Sequence, residues 1–125
     1  MVSLNEMEAM LEEILARFPQ DLFKDLNGGI ILLPEKKLNA HSRNNDLYVL
    51  AEYSCGGNMG RYITVYYGSF MRVYGHFTDE ELKKQLESTL KHEFIHHLES
   101  LGGERSLEIK DEIFLSDYLD RYDPG

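Results

Sequence analysis

Apolar residues return every fourth position along one long stretch of this chain: Leu82, Leu86, Leu90, Phe94 and Leu98, with Leu101 on the same side. Thr78 and Glu81 stand ahead of it in the spacing of a capping box. Phe77 and Leu82 flank them as a hydrophobic staple, and Gly102-Gly103 supplies a left-handed stop. The period predicts a helix over 79–101 with one buried face. A second unit of this kind opens the chain. Ser3-x-x-Glu6 caps a run in which Leu4, Met7, Leu11, Ile14, Leu15 and Phe18 share a face, with Val2 and Met7 as staple and Pro19 as stop. Asp21 to Leu26 reads as a short helical turn ending at Asn27-Gly28-Gly29.

Between the helices the pattern changes to strands. Ile30 to Leu33 is a short apolar run bounded by Gly29 and Pro34, which predicts a buried strand. Glu35 to Asn45 is polar and reads as a loop, with His41 a solvated histidine within it. Leu47 to Tyr53 and Arg61 to Tyr67 read as two strands joined by Ser54 to Gly60, so an antiparallel hairpin is expected. In the second of them Tyr62, Thr64 and Tyr66 share one face and Ile63, Val65 and Tyr67 the other. Gly68 to His76 fits either a third short strand or a turn of helix. Helical periodicity resumes over 106–122, with Leu107, Ile113, Phe114 and Tyr118 apolar.

The chemistry lies in the long helix. His92-Glu93-Phe94-Ile95-His96-His97 contains H-E-x-x-H, and on a helix residues four apart stand one above the other. His92 and His96 therefore form a two-nitrogen clamp suited to Zn²⁺, with Zn–N near roughly 2.0–2.1 Å. Glu93 beside them is the candidate base for a metal-activated water. His97 borders the apolar stripe, which predicts a buried, hydrogen-bonded histidine or a partner of the metal site. A third ligand is needed to leave one position open for water. Glu108, Asp111 and Glu112 crowd one face of the next helical stretch, and this cluster is the nearest downstream source of a third ligand. The glycines of 56–60 fit no phosphate loop, and Cys55 has no histidine near it in sequence.

Composition narrows the classes. At 125 residues the chain suits a single domain, 1–125. A net charge of −9 argues against nucleic-acid partners. No run approaches a membrane span, the first residues lack a secretory pattern, and one cysteine excludes an internal disulfide. A cytoplasmic location is the expectation.

Arg61 to Tyr67, followed some twenty-odd residues later by Thr89-Leu90-Lys91-His92-Glu93-Phe94-Ile95-His96-His97-Leu98, resembles the small bacterial zincin-like metallopeptidases, or minimal metalloproteases. The resemblance implies an α+β fold: an N-terminal helix, a short twisted, mainly antiparallel sheet, the active-site helix and a C-terminal helix. It also implies one Zn²⁺ per chain held by two histidines and an acidic residue. Carried over by position, His92 and His96 are ligands and Glu93 the base. Family members with a short H-E-x-x-H-x-x-G-x-x-D motif have their acidic ligand where this chain has Gly102, and Glu99 stands at their glycine. A longer turn after the helix brings Asp111 to that place, with Glu108 and Glu112 as rivals. The expected function is a zinc-dependent peptidase acting on a peptide or flexible protein segment. The alternative is a non-catalytic zinc-binding or pseudo-protease domain acting in protein interaction or regulation.

Overall fold

The computed structural model describes residues 2–40 and 47–102. Helix α1 spans Leu4–Ala16, and a 3-10 turn follows at Gln20–Phe23. Strand β1 is Gly29–Leu33, β2 is Ala51–Cys55 and β3 is Arg61–Tyr66; helix α2 is Tyr67–Tyr74 and α3 is Asp79–Leu101. Helices and a three-stranded sheet thus make a small α+β fold.

Both caps form. The Ser3 hydroxyl accepts from the Glu6 N–H at 3.1 Å and the Glu6 carboxylate accepts from the Ser3 N–H at 3.3 Å. Val2 and Met7 are both buried, as a staple requires. At α3 the Thr78 hydroxyl accepts from the Glu81 N–H at 3.2 Å and donates to the Glu81 carboxylate at 2.9 Å. Helix α3 ends at Gly102, whose φ of 68° and ψ of −179° lie where a side chain is strained.

The sheet order is β1-β3-β2. The hairpin of β2 and β3 is antiparallel, Ala51 opposite Val65 and Cys55 opposite Arg61. The pairing of β1 with β3 is parallel, Ile30 opposite Ile63. The sheet is therefore mixed rather than mainly antiparallel, because the chain crosses over from the end of β1 before it enters the hairpin. Strand β2 also starts later than the apolar pattern suggests. Leu47 and Val49 bond instead to Asn39 and Lys37, at 2.7 and 2.8 Å, which draws 47–49 away from β3. Gly68 to His76 resolves as α2 rather than a strand. Gly68 lets it start against the segment after β1, since a Cβ there would lie 2.6 Å from the Lys36 nitrogen.

One cluster of apolar side chains joins the layers: Met7, Leu11 and Ile14 of α1, Ile63 and Val65 of β3, Phe70 of α2, and Leu82 to Leu98 of α3. Phe94 sits at its centre, edge-on to Phe18 (5.5 Å, 70°) and Phe23 (5.4 Å, 79°). These contacts fix the rotation of α3 about its axis. With roughly 100° per residue, His92 and His96 then point about 160° away from Phe94, while Glu93 and His97 fall together on one flank. Among the described residues no helix is long and apolar enough to cross a membrane. His41 and the carboxylates Glu108, Asp111 and Glu112, with the helix expected over 106–122, lie outside the described residues.

Candidate metal centre

The two histidines opposite Phe94 are exposed and meet each other. Their Nε2 atoms stand 3.1 Å apart and their rings 4.6 Å apart at 87°. Two nitrogens held at roughly 2.0–2.1 Å by one tetrahedral centre would be about 3.3 Å apart, so this spacing fits a shared Zn²⁺. The Glu99 carboxylate lies 4.0 Å from Nδ1 of His96. Carboxylates commonly orient ligating imidazoles from that nitrogen, although this distance exceeds a hydrogen bond. Among the described residues no group of three or more His, Cys, Asp or Glu side chains could hold a metal.

Glu93 differs sharply from its histidine neighbours. It is only 7% exposed and turns towards β2, where the backbone N–H of Tyr53 favours its anionic form. Burial pushes its carboxyl above the ordinary carboxylate range, and the charge of Glu52 adds to this. The His96 side chain and the Tyr53 N–H act in the opposite direction, favouring the anion, and burial outweighs them.

His97 has no exposed surface and both ring nitrogens are engaged. Its Nε2 lies 2.8 Å from the Lys24 carbonyl, which can only accept, so Nε2 carries the proton. Its Nδ1 therefore accepts from the Tyr53 hydroxyl at 2.9 Å. Burial holds this imidazole below the ordinary histidine range, an effect the Arg61 charge reinforces and the Lys24 carbonyl and Asp25 oppose. The expectation of a buried, hydrogen-bonded histidine is met.

A second polar group lies on the opposite face of β2 from Tyr53. Glu52 accepts from Lys37 Nζ at 2.6 Å and from the Tyr66 hydroxyl at 2.5 Å. Lys37 also stands over the Tyr66 ring, 5.6 Å from its centre. Of the three residues expected to share a face of β3, Tyr66 thus has its hydroxyl committed to Glu52. Sequence reasoning did not single out Glu52, Tyr53, Lys37 or Lys24. One signal was present for Tyr53: Glu93 and His97 are four residues apart, so whatever meets one is positioned to meet the other.

No protein-family model matches the chain. No curated protein matches it either. Among solved structures it is similar to a conserved hypothetical protein from Thermo thermophilus, at a TM-score of 0.70 and 30% identity. That alignment covers 79% of this chain and 96% of the other.

Proposed function

We propose a chemistry for a chain that belongs to the same family as this Thermo thermophilus conserved hypothetical protein: it is a zinc-dependent peptidase. The observation that carries the reading is the pair of exposed Nε2 atoms 3.1 Å apart, next in sequence to a buried carboxylate on the strand-facing flank. His92 and His96 would hold the metal, with Asp111 proposed as the third ligand. When bound, Zn²⁺ supplies a Lewis acid that lowers the pKa of a water towards ~7 and polarises a carbonyl.

The remaining chemistry belongs to the chain. Glu93 takes the proton of the attacking water on its carboxylate and returns it to the nitrogen of the leaving amine. The Tyr53 N–H favours the carboxylate form of Glu93 in this exchange. Among the described residues strand β2 is an edge strand, so an extended substrate pairs along it. The amides that bond β3 come from alternate residues, as the contacts of Leu50 with Tyr66 and Gly56 with Gly60 mark. Ala51, Tyr53 and Cys55 therefore direct theirs away from β3; those of Ala51 and Cys55 face a substrate, and that of Tyr53 faces Glu93. A flexible protein segment suits such a site, because it can extend against a strand without unfolding a domain.

Glu93→Gln tests the reading. It is expected to keep about one zinc per chain and to lose hydrolysis of an unstructured peptide by about 10²–10⁴-fold. A variant as active as the wild type would overturn the role of Glu93. Zinc binding with no hydrolysis in the wild type would favour the non-catalytic alternative.

A further inference from the structure

Tyr53 touches α3 twice. Its backbone N–H, directed away from β3, faces the Glu93 carboxylate and favours its anion. Its side-chain hydroxyl donates to Nδ1 of His97 at 2.9 Å. Glu93 and His97 are four apart and lie on the same flank of the helix, so one strand residue spans one helical turn. The hydroxyl bond is one-directional, because the Lys24 carbonyl 2.8 Å from Nε2 leaves Nδ1 as the acceptor. His97 is enclosed and cannot turn to another partner without leaving that carbonyl. The imidazole is thus a fixed post, held from the segment after the 3-10 turn, against which Tyr53 is located.

We propose that Tyr53 is a positioning residue for Glu93: its hydroxyl, anchored on His97, sets β2 along α3 so that its own N–H orients the Glu93 carboxylate. The proposal rests on the peptidase reading for its catalytic consequence, and on geometry alone for its structural one. Without the hydroxyl bond, β2 keeps its ladder to β3 but loses its polar fix on the helix. The Glu93 carboxylate then samples orientations that do not serve a proton transfer, which depends steeply on placement. Metal ligation and substrate pairing use other atoms and are spared.

Tyr53→Phe removes one oxygen and keeps the ring against His97. In the zinc-loaded protein the expected result is unchanged zinc content, KM within about two-fold and kcat lower by about ten-fold or more. A purely structural role would lower the melting temperature and leave kcat per folded molecule unchanged, and that outcome overturns the proposal. So does a loss confined to KM or to zinc affinity. The second readout is exchange of the Tyr53 amide, followed by NMR in Tyr53→Phe and in Glu93→Ala. Faster exchange in both variants supports the positioning chain, and protection retained in both overturns it. If the wild type holds no zinc and hydrolyses nothing, the peptidase reading fails. The exchange result then decides the Tyr53 contact on its own.

Discussion

The two halves of α3 are held by different physics. From Asp79 to Lys91 the helix is fixed by Leu82, Leu86 and Leu90 in the core and by ion pairs to α1 at its rim, Lys83 with Glu13 at 2.7 Å and Arg17 with Glu87 at 3.2 Å. From His92 to Leu98 the buried face includes Glu93 and His97, each with a named partner on another element. Apolar burial tolerates rearrangement, whereas a buried carboxylate and imidazole need specified donors and acceptors. The first half is a scaffold that many sequences would satisfy. The second half spends stability on buried polar groups, which accords with the chemistry proposed for it.

That contrast can be broken most strongly from the scaffold side. Leu86→Ala leaves a core cavity and is expected to cost about 2–5 kcal/mol in urea unfolding. Zinc per folded molecule should not change, because the His92 and His96 rings are exposed and lie more than one turn further along the helix. A scaffold change that released the metal would show that the halves are not separable. Thr78→Ala removes the cap of the same half and should cost about 1 kcal/mol, again with the metal retained.

The smallest effect concerns the strand that serves the second half. Desolvation pushes the Glu52 carboxyl up, but the hydrogen bonds from Lys37 and Tyr66 and the Lys37 charge outweigh it, holding it below the ordinary 4.5. The unfolded chain therefore takes up this proton first as pH falls. The stabilisation is present above about 4.5 and is lost as pH drops through the lower, folded value. Lys37 is about half exposed, so the contribution is modest. Glu52→Gln should flatten the acid limb of the urea midpoint against pH; an unchanged limb would mean that Glu52 stabilises nothing.

The same contrast explains what could be read from the sequence. Helix α3 and its bounds were legible because caps and a four-residue apolar period are local signals. The hairpin was legible for the same reason, apart from the shift of β2 caused by the bonds of 47–49 to Lys37 and Asn39. The parallel pairing of β1 with β3 was not, since nothing local couples Ile30 to Ile63 across the crossover. His92, Glu93 and His96 were marked by spacing alone. Tyr53 and Lys24 as the partners of His97 depend on tertiary packing between residues 44 and 73 positions apart, and no period reports that. Asp111 and its rivals Glu108 and Glu112 remain a proposal for the third ligand.

The central claim is that His92 and His96 share a zinc ion, and the metal content of protein purified without chelator or added metal tests it most directly. About one zinc per chain is expected in the wild type, lost in His96→Ala and lost or much weakened in Asp111→Ala. Zinc retained in Asp111→Ala would move the third ligand to Glu108 or Glu112. A wild type that holds no zinc even after reconstitution, or a His96→Ala variant that holds it as well as the wild type, would contradict the account.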